Sequence, residues 1–379
     1  MPDKHAMLGG SNAHRYLVCT PSAALEATLP EETSPYAEEG TKAHSLAEVK
    51  LRRKLLKITG LKKPKDITPE MDEATDFYVD FVTEELNDAQ KQTSDAALFV
   101  EQQVDFSDYV PEGFGTSDAV IVSDDLLEVI DLKYGKGVMV NAENNPQLML
   151  YGLGAALRFK DIFNFKVVKV AIVQPRLEHV SVWTLPLDEL MFWAEDYVTP
   201  RAQLAYKGEG EFVTGEHCRF CKAAGICRKR VDEAFNVIKH ADGPTLTDEE
   251  IPAILGKLDA AEDWIKSIRA YAQDKAIREG VHWEGYKLVE ARTLRKIEDQ
   301  VAALKALEEA GFETEEVTTL KLNGISALEK TLGKKKFAEV LGSFVVKPKG
   351  EPVLVPESDK REAINIIDEM FKEETDEPK

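Results

Sequence analysis

Gly115-Thr116-Ser117-Asp118-Ala119-Val120-Ile121-Val122-Ser123-Asp124-Asp125-Leu126-Leu127-Glu128-Val129-Ile130-Asp131-Leu132-Lys133 reads as two apolar strands joined at a turn. Asp124-Asp125 are turn formers flanked by strand-forming residues. With those two at the tip, Ser123 pairs with Leu126, and counting outward places Asp118 opposite Asp131. Opposed side chains have Cβ atoms ~4.5–5.5 Å apart, and like charges there destabilise the pair. A divalent cation between the carboxylates would relieve that repulsion. Lys133 shares the face of Asp131, because strand side chains alternate with period two. Two carboxylates and a lysine converging on one side of a buried sheet point to a metal-dependent hydrolase.

Composition sets the frame. The chain has 379 residues, 43% apolar and 31% charged, as expected of a soluble protein with a large core and room for a second unit. No run approaches the ~18 apolar residues of a membrane span, and the start, Met1-Pro2-Asp3-Lys4-His5, lacks the apolar core of a signal peptide. A cytoplasmic protein with no membrane partner is expected. The net charge of −20 argues against a broad DNA-coating surface, which rests on phosphate neutralisation. Local basic stretches remain: Lys50 to Lys65, with eight basic residues and no acid, Arg219 to Arg230, and Lys334 to Lys349. Each reads equally well as a solvated helix face.

Cysteine usage is uneven. Cys218, Cys221 and Cys227 form a C-x2-C-x5-C cluster, and Cys19 stands alone far upstream. Such a cluster in a cytosolic chain points to metal binding more than to disulfides. Four thiolates suit an iron–sulfur cluster or Zn²⁺. A zinc site of the three clustered cysteines with His217 or His240 is the alternative. With Cys19 as the fourth ligand, the metal would staple the two ends of one domain, an effect of about 5 kcal/mol by analogy with a disulfide of that loop length.

The remaining elements surround the hairpin. Helices are expected over Tyr36 to Leu56, which carries His44, and over Pro69 to Gln92. A strand follows from Ala97 to Phe106 and contains Glu101. Asn144-Asn145-Pro146 is a helix start, and Gln147 and Tyr151, four apart, share one face of that helix. Strands over Lys166 to Gln174 and His179 to Leu185 extend the sheet, and a helix from Leu187 to Tyr206 leads to the cysteines.

In order, His44, Gly115-x-x-Asp118, Asp131-x-Lys133 and Gln147-x-x-x-Tyr151 resemble the PD-(D/E)XK nuclease superfamily, in its RecB-like branch. Cys19 with the C-x2-C-x5-C cluster resembles that branch's iron–sulfur subset, which includes CRISPR-adaptation exonucleases and the AddB-type nuclease subunit. Cys19-Thr20-Pro21-Ser22, Glu39-Gly40-Thr41-x-Ala43-His44 and the C-terminal half are similar to a phage and prophage protein family within the superfamily. The catalytic resemblance covers residues 10–232. Asp-x-Lys alone is uninformative, and Glu48-Val49-Lys50 is a decoy of the same form; the ordered set of motifs carries the likeness.

The resemblance implies an α/β, restriction-endonuclease-like core, a central mixed sheet flanked by helices, over residues 1–235. A mainly helical α+β accessory module is expected over 245–379. It implies that Asp118, Asp131, the Leu132 carbonyl and His44 hold Mg²⁺ or Mn²⁺, and that Lys133 orients or activates the attacking water. Gln147 and Tyr151 would contact DNA or support the site. Cys19, Cys218, Cys221 and Cys227 would hold a [4Fe–4S] cluster. The implied activity is a DNA exonuclease of phage-type recombination or processing, acting on ends or single strands, with a phage single-strand annealing or binding protein as a partner. The alternative is a non-catalytic DNA-binding or assembly protein that keeps the fold.

Beyond Cys227, Ile251, Ile254, Leu255, Leu258, Ala261, Ile265 and Ile268 keep helical spacing to about Glu279. A strand from Gly285, a helix over Glu298 to Ala310, helical patches over Ile325 to Leu332 and Phe337 to Leu341, and a frayed acidic end from Asp368 are expected after it. No catalytic motif stands out there.

Overall fold

The computed structural model describes residues 6–30, 35–238, 248–249 and 251–288, with 305, 333–341 and 345 beyond them. At the N-terminus, a 3₁₀ turn (Gly10–Asn12) runs into the short helices α1 (Ala13–Tyr16) and α2 (Ser22–Ala27). Two long helices follow, α3 (Pro35–Lys54) and α4 (Pro69–Gln92). Thr68 caps α4 by accepting from the Met71 amide, and Pro69 occupies the first turn, where its missing N–H costs nothing.

Strands β1 (Ala97–Asp105), β2 (Phe114–Val122), β3 (Leu126–Leu132), β4 (Val167–Gln174) and β5 (His179–Pro186) form one mixed sheet in the order 1-2-3-4-5. Only β3 and β4 pair in parallel. The crossover between them is α5 (Pro146–Phe159), as a parallel pair requires. Asn145 caps α5, its side chain accepting from the Gln147 and Leu148 amides. Then come α6 (Leu187–Trp193), a π-turn (Ala194–Val198), α7 (Thr199–Lys207), α8 (Arg228–Ile238) and α9 (Ile251–Arg278).

Alternation along the strands builds two cores. Val120, Val122, Leu127, Val129, Val168 and Val170 pack under α5, α6, α7 and the N-terminal arm. Ala119, Ile121, Ile130, Leu132, Ala171 and Val173 pack under α3 and α4. Among the described residues, no helix is long and apolar enough to cross a membrane.

The chain divides into Met1–Glu284 and Gly285–Lys379. The long helix α9 therefore belongs to the first unit, not to a module beginning at 245. It packs along α8, where Arg230 Nη1 donates to Ser267 Oγ at 3.4 Å. In the second unit, α10 (Lys334–Leu341) occupies the expected helical patch. Residues 286–288 carry no strand, and the remainder of that strand, the patch over 325–332 and the acidic end lie outside the described residues. So does the 298–310 helix, apart from helical residue 305.

Four of the eight basic residues from Lys50 to Lys65 carry described ion pairs: Lys50 with Asp72 and Asp76, Arg52 with Glu48, Lys54 with Asp80 and Lys63 with Asp72. At those four positions the structure favours an ion-paired face over a DNA groove.

Candidate metal centre and four-cysteine cavity

The hairpin has the expected register. The Ser123 amide donates to Leu126 O at 2.9 Å, and the ladder runs from Val122↔Leu127 to Ala119↔Ile130. Extended one residue past the last paired rung, that register sets Asp118 opposite Asp131. The β1–β2 ladder pairs Val100 with Ala119 and Gln102 with Ser117, so Glu101 falls opposite Asp118. Three acids from three strands thus occupy one rung. Glu101 has φ of 52°, in the left-handed region, and that rung is unpaired. Around it β1 exchanges faces: Leu98 and Val100 pack toward α3 and α4, but Val104 packs toward α5.

α3 delivers His44 to this rung. His44 Nδ1 lies 2.8 Å from Asp118 Oδ1, and ligand atoms of His44, Glu101 and Asp118 all lie within 4.8 Å of one another. Leu132 meets the site through its backbone amide, which donates to Asp118 Oδ2 at 2.7 Å. Asp131 is only 3% exposed. Its Oδ2 lies 3.0 Å from Lys133 Nζ but takes no well-directed hydrogen bond. Asp131 falls outside the 4.8 Å group of His44, Glu101 and Asp118, but it feels the charges of Asp118 and His44, and a buried carboxylate oxygen with spare capacity beside them suits a hard cation.

Electrostatics agree. Burial pulls the His44 imidazole down, but the neighbouring Asp118 carboxylate more than offsets it, raising the pKa to about 9. Burial and then Asp118 push Glu101 up to about 7. Burial also raises Asp131, opposed by Lys133 and reinforced by Asp118. Acids pushed toward the neutral form in one place mark excess negative charge awaiting a cation.

α5 closes the other side. Lys133 Nζ donates to Gln147 Oε1 at 2.8 Å, while Gln147 Nε2 donates to Asp131 Oδ1 at 3.1 Å and to Tyr151 Oη at 3.3 Å. The Gln147 and Tyr151 side chains therefore face inward, as their spacing predicts. The Tyr151 ring lies between two backbones that must be glycine: a Cβ on Gly10 or Gly115 would sit 2.4 or 2.6 Å from Tyr151 Cε1. The loop after Lys133 is fixed by buried Gln174, which accepts from Val140 N and donates to Val138 O. Arg176 stacks on Tyr134 with its guanidinium carbon 4.5 Å from the ring centroid, and it pairs with Glu39 of α3 and Glu70 of α4.

Glu101 is the residue that sequence reasoning passed over. It sits mid-strand with no motif around it, and only pairing with β2 brings it to Asp118. The signal available in sequence was an acid at the middle of a strand-like run.

Cys19, Cys218, Cys221 and Cys227 are all free thiols and line one small cavity, together with Arg15, His217 and Arg230. Burial drives the Cys221 thiol up to about 12. Cys218 is lowered, burial being outweighed by a hydrogen bond from His217 and one from a backbone amide. The cysteine sulfurs do not reach the mutual 4.8 Å spacing of the His44 group. His240, the other alternative ligand, lies outside the described residues.

A family model described as a protein of unknown function, DUF2800, matches residues 5–362. The chain belongs to the DUF2800 family. Among solved structures it is similar to one titled "Crystal structure of SSO0001", at 14% identity, covering 50% of this chain and 84% of that one with a TM-score of 0.22. A TM-score that low establishes no shared fold. The architecture therefore stands on the sheet described above: an α/β core with five strands flanked by helices.

Proposed function

We propose that this DUF2800 protein is a metal-dependent deoxyribonuclease, built on a restriction-endonuclease-like core and acting as an exonuclease in phage-type DNA recombination or processing. The observation that carries the reading is the single rung of Glu101, Asp118 and Asp131, with His44 on one side and Lys133 on the other. His44, Glu101, Asp118 and Asp131, with the Leu132 carbonyl, would hold Mg²⁺ or Mn²⁺. Such a cation binds a phosphate oxygen and acidifies water.

The chain's own groups do the rest. Lys133 Nζ, held between Asp131 and Gln147, supplies fixed positive charge where negative charge develops on the phosphoryl group, and it orients the attacking water. Gln147 locks both partners, so the lysine is pre-positioned rather than recruited. Tyr151 supports Gln147 from below.

Cys19, Cys218, Cys221 and Cys227, which line one cavity, would hold a [4Fe–4S] cluster, with zinc as the alternative. DNA labelled at its 5′ or 3′ end tests the activity. Cleavage should require Mn²⁺ or Mg²⁺ and vanish in Asp131→Ala while the circular-dichroism spectrum is retained. Undiminished cleavage by that variant overturns the assignment; a metal-independent, DNA-binding protein without cleavage favours the non-catalytic alternative.

A further inference from the structure

Two side chains of the N-terminal arm grip the backbone on both sides of Cys221. Arg15 Nε donates to Glu26 Oε2 at 2.7 Å, and the pair is almost fully buried. The bonding capacity left over is spent across ~200 residues of sequence. Arg15 Nη1 donates to the Phe220 carbonyl at 3.2 Å, and the Lys222 amide donates to Glu26 Oε1 at 2.7 Å. Arg15 and Glu26 bracket Cys19 in sequence; Phe220 and Lys222 bracket Cys221. One ion pair therefore sets both walls of the cavity relative to each other.

Further contacts tie down the Cys19 segment independently of any metal. The Cys19 amide donates to Arg15 O at 2.8 Å, Thr20 Oγ1 donates to Glu209 O at 2.6 Å, and Tyr197 Oη donates to Leu17 O at 3.4 Å. Thr20 and Leu17 thus join the Cys19 segment to Glu209 and Tyr197 near the other end of the domain.

We infer that the Arg15–Glu26 pair is the positioning device of the four-cysteine centre, presenting Cys221 to Cys19 so that a thiolate-bound metal is captured and retained. This rests on reading the four cysteines as one metal centre. A buried ion pair is by itself weak evidence for stability, since burying two charges costs much of what their attraction returns. Here every remaining polar atom of the pair that makes a described bond is directed at the residues flanking one ligand. A pair serving the fold alone could spend those bonds on any backbone. Fixing ligand geometry through outer contacts is the established route to tight metal retention.

The experiment reads metal release, not DNA cleavage. Full-length protein, purified anaerobically and reconstituted with iron and sulfide or with zinc, is challenged with excess chelator. Loss is followed by absorbance and metal analysis. Arg15→Met/Glu26→Met removes both charges together, so neither is left buried and unpaired. It should release metal at least tenfold faster than wild type. Val82→Ala, in the core on the other sheet face, should release at the wild-type rate despite a comparable fall in thermal midpoint. Equal rates in the double variant and Val82→Ala overturn the proposal. Should the double variant fail to fold, Glu26→Gln decides it: release several-fold faster than wild type supports the role, and a wild-type rate overturns it. Wild-type protein that takes up no metal under either reconstitution overturns the four-thiolate reading, and the proposal with it.

Discussion

Glu101 faces Asp118 across the β1–β2 pair, at the one rung within that ladder where pairing lapses. Two carboxylates so placed repel, and Asp131 on the next strand adds a third. The arrangement is tolerable with protons or a cation present and costly with neither.

The pH dependence of the metal-free protein follows from this. Glu101 has its pKa raised to about 7, above its ordinary 4.5. The associated stabilisation is complete below about 4.5 and is lost as pH rises through about 7. Without divalent cations, Glu101→Gln should melt a few degrees above wild type at pH 8, corresponding to ~1 kcal/mol after allowance for solvent screening. Added Mn²⁺ should raise the wild-type midpoint and have a smaller effect on the variant. Differential scanning fluorimetry with and without metal checks both.

His44 titrates in competition with the cation. Its raised pKa of about 9 means that the imidazolium–Asp118 contact is fully present below about 6.5 and is lost as pH climbs through about 9. A metal needs the neutral ring, so binding expels a proton. Apparent Mn²⁺ affinity should therefore rise by up to tenfold per pH unit between pH 7 and 9, then level off. Calorimetric titration in buffers of different ionisation enthalpy would count the proton released, and His44→Asn should remove that component.

Gly115→Ala would press a methyl group against the Tyr151 ring. Small-to-large changes in packed sites cost ~1–3 kcal/mol. The displaced ring would also loosen Gln147 and through it Lys133, so cleavage should fall together with stability. Tyr151→Ala in the same chain should restore part of the lost stability without restoring cleavage. A double-mutant cycle by chemical denaturation measures the coupling.

Glu128, three residues before Asp131 on β3, gives a second pH signature. It is fully buried, lies next to Lys169 in register, and is raised to about 7 mainly by burial. Its contribution is complete below about 4.5 and is lost as pH rises through about 7. Glu128→Gln should reduce the fall in unfolding free energy between pH 5 and pH 8 by on the order of 2–3 kcal/mol. Urea denaturation at the two pH values is the check, and an unchanged difference would place the titration elsewhere.

What could be read from sequence was what depends on short range. A two-residue turn with period-two alternation dictates the register, so local sequence is enough to place Asp118, Asp131 and Lys133 on one face. The Asn145 cap and four-residue spacing put Gln147 and Tyr151 on one inward face for the same reason. Cys218, Cys221 and Cys227 announced themselves by proximity along the chain. Tertiary structure alone decided the rest. Glu101 joins the site because β1 happens to pair with β2 in that register, and its positive φ has no sequence signature in a non-glycine residue. Arg15 and Glu26 look like ordinary surface charges of two short helices until folding buries them against Phe220 and Lys222. The opening pair of aspartates was local chemistry, whereas the third acid and the grip on Cys221 depend on strand order and on long-range closure, which local pattern does not encode.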